Sequence, residues 1–272
     1  MTAHAIGLHQ RADILDLFAQ AASRAGAIVL ANRARGCVEE RKPDQSPVTA
    51  ADRQSEAEIL EQVRRTLGDI PVVAEESGGP RPAEFDPSRP FLVIDPLDGT
   101  KEFLEGRSEF TVNLALVENR QPVLGVIYAP ALEMLYAGVA GEAFAGWLDP
   151  GAPLASLRGR RALRCREPED GRLVAVASRK HLDSKTKAYI DALPGVECIN
   201  RGSSIKFCII AEGQADIYPR FDPTSEWDTA AGQAILEAAG GSLASLDGEP
   251  FLYGKVGSAF LNTGFIARGL TA

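Results

Sequence analysis

The chain has 272 residues, of which 45% are hydrophobic and 24% charged, and its formal net charge at pH 7 is −8. This composition is typical of a globular protein with its own core and excludes a disordered chain. The acidic balance argues against a protein that mainly binds nucleic acid or an anionic membrane, because such partners usually require a basic face.

The first half of the chain predicts two helices followed by short strands. Apolar residues recur at helical spacing over residues 12–32, and a second helix fits residues 50–67. The segment KPDQSPVTAAD (42–52) contains Pro and Asp breakers, which predict a loop whose end caps the second helix. PVVAEE (71–76) and FLVID (91–95) have the pattern of buried strands.

A hairpin and a second lobe are predicted further along the chain. FTVNLALVEN and PVLGVIYAP form the two strands of the hairpin, joined by Arg120 and Gln121. The Gly, Pro and Arg-rich stretch 148–170 marks a boundary between lobes of about 1–155 and 156–272 within one domain. Strands and helices alternate beyond it, which is typical of an α/β lobe, with strands in LVAVAS, VECIN and ADIYPRF and helices at about 183–193, 203–213 and 228–239.

The segment FLVIDPLDGTKEF (91–103) places Asp95 at the end of a buried strand and Asp98 in the turn beyond it. Two carboxylates about 4 Å apart repel by about 4 kcal/mol at an effective dielectric of about 20. An Asx-turn explains one of these carboxylates but not both. The pair therefore predicts a bound cation.

Other acids lie where a strand or loop meets a turn, namely Asp52, Glu75, Glu76 and Asp228. Strand ends in α/β proteins converge on one rim, so these acids could share an oxygen-lined cation site. Each also has a plain alternative: a solvated strand end for the glutamates, a first-turn helix acid for Asp52 and an N-cap for Asp228. With three histidines and four widely spaced cysteines, the chain favours oxygen-bound Mg²⁺, Mn²⁺ or Ca²⁺.

Gly99 and Thr100 stand before a short predicted helical segment, KEFLEG. A glycine beside a helix start lets backbone N–H groups approach an anion, although Thr100 could also serve only as a cap. Carboxylates for cations beside N–H groups for phosphate are the equipment of metal-assisted phosphoryl transfer.

Three motifs in order resemble the inositol monophosphatase superfamily of Mg²⁺-dependent, lithium-sensitive phosphatases: the Glu pair of PVVAEES, DPLDGT (95–100) and WDTAAG (227–232). The resemblance extends over nearly the whole chain and implies an α/β (α+β layered) fold, an αβαβα sandwich of two lobes. Lys101 in DGTKEF, together with SPVTAAD, ASRKH and GSSIKFCIIAEGQADIYPRF, is similar to the 3'(2'),5'-bisphosphate nucleotidase branch and its bacterial CysQ-like members.

The resemblance to that branch implies hydrolysis of the 3'-phosphate of 3'-phosphoadenosine 5'-phosphate, and of the 5'-phosphosulfate as a further substrate, in sulfur assimilation. An inositol monophosphatase or a fructose-1,6-bisphosphatase of the same superfamily is the alternative. A catalytically silent nucleotide sensor is disfavoured, because the acids and Thr100 are all present.

Site residues follow from the resemblance position by position. It implies that Asp52 and Thr100 activate the attacking water, and that the metal ligands are the carboxylates of Glu75, Asp95, Asp98 and Asp228 with the carbonyl of Leu97. The implied substrate contacts are Glu75, Leu97, Asp98, Gly99, Thr100, Ser178, His181, Gly202, Ser203, Lys206 and Asp228. Arg220 has a weaker claim to a second phosphate.

Cofactors and partners are implied in the same way. Two or three Mg²⁺ ions are expected, with Mn²⁺ as a substitute and Li⁺ as an inhibitor. The substrate is a small phosphonucleotide, and the protein is expected to be a monomer or homodimer. No stretch approaches 18 consecutive apolar residues and the N-terminus lacks a signal-peptide pattern. We therefore expect a cytoplasmic protein without an integral membrane segment, in which peripheral association with the inner membrane stays open.

Overall fold

The computed structural model of the protein describes residues 8–42, 47–80, 85–139, 141–168, 172–180 and 182–270. Six α-helices lie in these ranges: α1 Leu8–Arg35, α2 Ala50–Leu67, α3 Thr100–Leu104, α4 Ser184–Asp191, α5 Ile205–Ala211 and α6 Ala230–Ala238. The strands are β1 Glu40–Arg41, β2 Pro47–Val48, β3 Val72–Ala74, β4 Phe91–Asp98, β5 Thr111–Glu118, β6 Gln121–Ala129, β7 Met134–Val139, β8 Glu142–Trp147, β9 Arg158–Ala162, β10 Val174–Ser178, β11 Glu197–Arg201, β12 Ile217–Arg220, β13 Thr224–Ser225, β14 Ser242–Ser245, β15 Leu261–Asn262 and β16 Phe265–Arg268.

Two larger sheets organise these strands. The first has seven strands in chain order from β3 to β9, with β3 parallel to β4 and the rest antiparallel. The second has the order β11-β10-β12-β16-β14, with β10 parallel to both β11 and β12. Both β16 pairings are antiparallel, so this sheet mixes the two arrangements. Two-stranded pairs β1-β2 and β13-β15 lie apart from them.

The apolar faces of the two sheets define five layers. Ile94 faces α1 and α2, in one cluster with Phe18 and Ile59. The adjacent Val93 points the other way, since side chains alternate along a strand, and shares a second cluster with Ile235 of α6. That cluster reaches the five-stranded sheet, whose outer face packs against α4. The layers therefore run α, β, α, β, α, which confirms the predicted sandwich.

Helix α6 lies directly on the backbone of the seven-stranded sheet. A Cβ added at Gly125 of β6 would come within 2.4 Å of the Ala231 carbonyl oxygen, and one at Gly138 of β7 within 2.6 Å of the Ile235 Cα. Both glycines are required by this close approach. The contact holds the helix that follows Asp228 against the sheet that carries Asp95 and Asp98.

Helix α1 is long and apolar enough, over Gln10–Arg35, to cross a membrane by length and composition, with a mean hydropathy of 1.4 in its most apolar window. Of that window, 56% is buried inside this fold. A core helix passes the same test, and a single such helix near the N-terminus is weak evidence for a span. We assign α1 to the core, where it covers the sheet together with α2.

Several sequence predictions are confirmed and others are wrong. The bounds of α2 agree with the prediction at both ends. The hairpin turn lies one residue earlier than predicted: Asn119 and Arg120 have φ of 50° and 65°, and Glu118 pairs with Gln121. Two consecutive left-handed residues match the twist of a two-residue hairpin.

Strands β7 and β8 were not predicted, and neither was β9, which lies inside the stretch expected to separate the lobes. Residues 158–162 are exposed at the edge of the large sheet, so they lack the alternation of buried and exposed residues that would mark a half-buried strand. The lobe boundary near residue 155 stays a prediction.

Candidate active site

A cavity of about 700 Å³ gathers most of the predicted site residues. It lies beside the ends of β4, β10 and β12 and the start of α6, where strand ends of an α/β fold commonly hold ligands. Eight predicted residues line it: Glu75, Asp98, Gly99, Thr100, Ser178, Ser203, Lys206 and Asp228. His181 lies outside the described residues.

A bulge in β4 brings Asp95 and Asp98 to the same side of the strand. Asp95 pairs with Asn113 and Asp98 with Thr111, so three steps along β4 match two along β5. In a regular strand, side chains three positions apart would point to opposite faces. The extra residue of the bulge turns the Asp98 side chain to the face on which Asp95 lies. Pro96 fits the bulge because proline has no backbone N–H that would be left unpaired.

Asp95, Asp98 and Asp228 form an acidic cluster in which one ligand oxygen from each lies within 4.8 Å of the other two. Asp95 is 1% exposed, and its Oδ1 accepts a hydrogen bond from the Leu97 amide at 2.9 Å. Three carboxylates at this separation match the oxygen donors that a hard divalent cation prefers. The donor set therefore fits a divalent cation such as Mg²⁺.

The charges of this cluster repel one another in the absence of a cation. Burial, followed by the charges of Glu75, Asp98 and Asp228, raises the pKa of Asp95 well above its ordinary value. Burial and the charge of Asp228 raise the pKa of Asp98 to about 7, although Lys206 opposes this. A bound divalent cation would reverse both effects by favouring the ionised carboxylates.

Asp228 reaches the cluster from a 3-10 turn, Glu226–Asp228, which precedes α6. Its Oδ2 accepts hydrogen bonds from the Thr224 hydroxyl and from the Ser225 amide, the latter at 3.1 Å. The contact with the Ser225 amide is part of a capping box in which Asp228 is the third residue of the 3-10 turn. The N-cap of α6 is Thr229, so the alternative that Asp228 is the N-cap of this helix is wrong.

Glu75 lies in the same cavity but is engaged by a lysine. Lys42 Nζ donates to Glu75 Oε1 at 2.8 Å and to Glu76 Oε1 at 2.6 Å. Burial raises the pKa of Glu75 to about 8, and Lys42 opposes that rise. The three-acid cluster found among the described residues does not include Glu75, so its role as a metal ligand stays a prediction.

Asp52 and Thr100 are joined by a hydrogen bond, and their role in activating water stays a prediction. Asp52 Oδ2 accepts the Thr49 amide and hydroxyl at 2.7 Å each, which completes a capping box at the start of α2. Asp52 Oδ1 accepts the Thr100 hydroxyl at 3.2 Å. Burial raises the pKa of Asp52, against its hydrogen bonds with Thr49 and Thr100. A carboxylate with a raised pKa is better able to hold a proton.

The turn around Gly99 brings backbone groups toward the cavity. Gly99 has φ 92°, and a Cβ there would lie 3.1 Å from the Glu109 carbonyl oxygen. The Thr100 hydroxyl also lies 3.3 Å from the carbonyl oxygen of Leu97, the predicted backbone ligand. Gly99 thus precedes α3 with the left-handed backbone that favours glycine.

The predicted nucleotide side combines Ser178, at the end of β10, with residues of the loop before α5. Lys206 is 4% exposed, donates to the Ser203 carbonyl oxygen and has its Nζ 5.2 Å from the centre of the Tyr218 ring. The helix predicted at about 203–213 is present as α5, and all seven of its residues are buried. Gly202 donates its amide to Glu109 Oε2 at 3.0 Å.

Sequence reasoning missed the residues that hold the functional ones in place. Glu56, 4% exposed, accepts the amides of Glu76 and Ser77 at 2.8 Å each and so fixes the turn after β3. Its spacing of four from Asp52 puts both on one helix face, a signal that could have found it. Lys42 and Ser204 gave no comparable signal, since their partners are distant in sequence.

Comparison with known proteins agrees with this geometry. The model of the inositol monophosphatase family matches residues 10–271, and the chain belongs to that family. Two bacterial proteins named 3'(2'),5'-bisphosphate nucleotidase CysQ are similar: that of Salmonella typhimurium, 43% identical over 83% of this chain and 86% of its own, and that of Buchnera aphidicola, 36% identical over 94% of each.

Solved structures give the same result. The crystal structure of CysQ from Bacteroides thetaiotaomicron is 37% identical, with a TM-score of 0.80 over 97% of this chain and 99% of its own. An inositol monophosphatase from Anabaena is 26% identical, with a TM-score of 0.71 over 95% of this chain and 91% of its own.

Proposed function

We propose that the protein is a Mg²⁺-dependent phosphatase that removes the 3'-phosphate of 3'-phosphoadenosine 5'-phosphate, yielding adenosine 5'-phosphate and inorganic phosphate. The main support is that Asp98, Asp228, Thr100 and the buried Lys206 line one cavity. Asp95 lies beside the first two in the acidic cluster, and Asp52 accepts the Thr100 hydroxyl. The names of the similar nucleotidases favour this substrate. The corresponding 5'-phosphosulfate is a further proposed substrate, and sulfur assimilation the proposed setting.

Two or three Mg²⁺ ions would be held by Asp95, Asp98 and Asp228, with Glu75 and the Leu97 carbonyl as additional ligands. Mn²⁺ is a proposed substitute and Li⁺ an inhibitor. When bound, the metal offsets the negative charge of the site and polarises the phosphoryl oxygens. An acidic protein can in this way bind an anionic substrate.

The chain's own residues supply the proton transfer. The Thr100 hydroxyl donates to Asp52, so its oxygen lone pairs are available to accept a proton from the attacking water. Asp52 then receives the Thr100 proton, which its raised pKa favours. The water oxygen bonds to phosphorus as the bond to the 3'-oxygen breaks, and the 3'-oxygen takes a proton from solvent to leave as the 3'-hydroxyl. The amides of Gly99 and Thr100 hold the phosphoryl group, and Asp52 then releases its proton to solvent.

Positive and polar groups flank the acids on the nucleotide side. Ser178, His181, Gly202, Ser203 and Lys206 are the proposed contacts for the rest of the nucleotide. Arg220 also lines the cavity, at the end of β12. Burial lowers the pKa of Arg220, but the nearby Tyr218 and Asp228 raise it by more, so the pKa lies above its ordinary value. We further propose a monomer or homodimer located in the cytoplasm.

A substrate panel tests the proposal. Release of inorganic phosphate is measured with Mg²⁺ for 3'-phosphoadenosine 5'-phosphate, its 5'-phosphosulfate, inositol 1-phosphate and fructose 1,6-bisphosphate, each repeated with Li⁺. We expect the highest kcat/KM for the two nucleotides and inhibition by Li⁺. A preference for inositol 1-phosphate would overturn the assignment in favour of the activity for which the family is named.

A further inference from the structure

The loop before α5 is bonded directly to a proposed metal ligand. The backbone amide of Ser204 donates to Asp98 Oδ2 at 2.5 Å, although the two residues are 106 positions apart. A hydrogen bond from an amide to a carboxylate is charge-assisted and therefore among the stronger kinds. Ser204 thus joins the proposed nucleotide loop to the acidic cluster.

The Ser204 side chain is itself anchored on β5. Its hydroxyl donates to Asn113 Oδ1 at 2.8 Å and lies 2.8 Å from the Thr111 hydroxyl. Thr111 and Asn113 are the residues that stand opposite Asp98 and Asp95 across the bulge. Strand β5, which pairs with Asp95 and Asp98, therefore also fixes Ser204, whose amide binds Asp98.

All three anchoring side chains are removed from water. Ser204 is 3% exposed, Thr111 0% and Asn113 1%. Asn113 Nδ2 is buried without a hydrogen-bond partner among the described residues, so the amide depends on Ser204 through its oxygen. A buried polar group that loses its partner pays its full desolvation cost, which makes this network sensitive to a single hydroxyl.

Ser203 and Lys206, the proposed nucleotide contacts, flank Ser204. Ser203 has φ 48°, an uncommon conformation for a residue other than glycine, and its carbonyl oxygen accepts from Lys206 Nζ. A conformation of this kind persists only where surrounding contacts maintain it. Any displacement of Ser203 or Lys206 by a ligand must therefore be transmitted to the amide between them.

We propose that Ser204 is a positioning residue that couples nucleotide binding to metal binding. The part of this inference that concerns the nucleotide rests on the proposed function. The loop conformation that presents Ser203 and Lys206 to the nucleotide is the one in which the Ser204 amide orients Asp98. Ligands that favour one conformation of a shared element bind with positive and reciprocal coupling.

The test compares Ser204→Ala with Ser23→Ala, because Ser23 is also fully buried and its hydroxyl bonds to the Asp149 carbonyl oxygen, away from the cavity. Mg²⁺ binding to the whole chain is titrated by calorimetry, with and without adenosine 5'-phosphate. For the wild type and Ser23→Ala, the nucleotide should tighten Mg²⁺ binding. For Ser204→Ala we expect Mg²⁺ affinity to fall roughly three- to tenfold and the nucleotide effect to disappear.

Thr111→Val provides a second route if Ser204→Ala does not fold, since it removes a hydroxyl while keeping the side-chain shape, and Thr111→Ser should restore binding. Equal Mg²⁺ affinity and equal coupling in Ser204→Ala and Ser23→Ala would overturn the positioning role. If the wild type does not hydrolyse 3'-phosphoadenosine 5'-phosphate, the proposed function fails instead, while the Mg²⁺ titrations without nucleotide still decide whether Ser204 orients Asp98.

Discussion

The acidic cluster is assembled from two regions that are supported in different ways. Asp95 and Asp98 lie on β4, an inner strand of the seven-stranded sheet, and the backbone pairing with β5 sets their positions. Asp228 lies on a short 3-10 turn. The turn follows β13, which pairs with β15 over only two residues. The turn depends instead on buried side chains.

Glu226 is the centre of that side-chain support. It is 0% exposed and accepts the amides of Gly254 and Lys255 at 2.8 Å each. Asn262 donates to the Ser225 carbonyl oxygen at 3.2 Å and to the Thr229 hydroxyl at 2.9 Å. Sheet pairing spreads its support over many backbone bonds, whereas this network concentrates it in a few polar groups. Single substitutions should therefore disturb the two regions unequally.

The largest effect is expected from Asp98→Asn, which tests whether the strand region binds the metal. Loss of an outer partner of a metal ligand typically costs about 10–100-fold, so losing a ligand itself should lower kcat by more than that. In metal-free buffer at pH 8 the variant should melt at a higher temperature than wild type, because one repelling charge is gone. The exposed Asp69→Asn serves as control; turnover near wild type in Asp98→Asn would refute the ligand role.

Glu226→Gln should have the next largest effect. It tests whether the turn that carries Asp228 depends on the hydrogen bonds of Glu226. The amide side chain can accept only one of the two backbone N–H groups, which leaves a buried donor unpaired at a cost of about 2 kcal/mol. We expect lower unfolding free energy in urea and weaker Mg²⁺ binding. The matched change Glu118→Gln, at a residue that is 4% exposed and accepts a hydrogen bond from Arg11, should leave Mg²⁺ affinity unchanged. Equal effects of both changes would argue against a special role for Glu226.

A pH dependence separates the charged cluster from the rest of the fold. Asp98 and Glu75 have folded-state pKa values of about 7 and 8, above their ordinary values. A raised folded pKa gives stability that is full below the unfolded pKa and is lost as pH rises through the folded pKa. The melting temperature of the metal-free protein should therefore fall between about pH 5 and pH 8. Mg²⁺ should remove most of that decline, which calorimetric scans with and without Mg²⁺ would show.

The smallest effect is expected for Tyr253→Phe, compared with Tyr128→Phe. Both tyrosines are fully buried; the Tyr253 hydroxyl bonds to Thr229 and Gln233, and the Tyr128 hydroxyl to the Leu148 carbonyl oxygen. Each change should lower the unfolding free energy by about 1 kcal/mol. Only Tyr253→Phe should also weaken Mg²⁺ binding, measured by titration. If both or neither weaken it, the side-chain network does not set the position of Asp228.

The sequence predicted best what local pattern determines. Periodicity and capping residues located α2, and the apolar run from Phe91 located the start of β4. The turn predicted beyond Asp95 is wrong, because the strand continues to Asp98 through a bulge. Helix α5 was placed in sequence, but its burial on all sides depends on sheet and helix layers that no single segment encodes. The proposed site was likewise predicted only in part. Local motifs identify its acids, whereas the residues that hydrogen-bond to those acids lie elsewhere in the chain.

Contacts between distant residues account for what could not be predicted. Lys42 meets Glu75 across 33 positions, and Ser204 meets Asp98 across 106. A lysine or a serine in an ordinary loop carries no sign of such a partner, since hydrogen bonding to a carboxylate needs only proximity. The bulge between Asp95 and Asp98 could not be predicted for a related reason. It is defined by the register of β4 against β5, which the sequence of β4 alone does not contain.

The close contact of α6 with Gly125 and Gly138 has a consequence for ion selectivity. Asp228 lies two residues before α6, so the depth at which the helix lies on the sheet contributes to its distance from the two aspartates of β4, together with the side-chain network around Glu226. The two glycines make that depth as small as the backbone allows. Mg²⁺ takes oxygen ligands at about 2.1 Å and Ca²⁺ at about 2.4 Å. A methyl group at Gly125 would lie 2.4 Å from a backbone oxygen of α6, so the helix would have to move. We expect that movement to widen the acidic cluster and to shift its preference toward the larger ion.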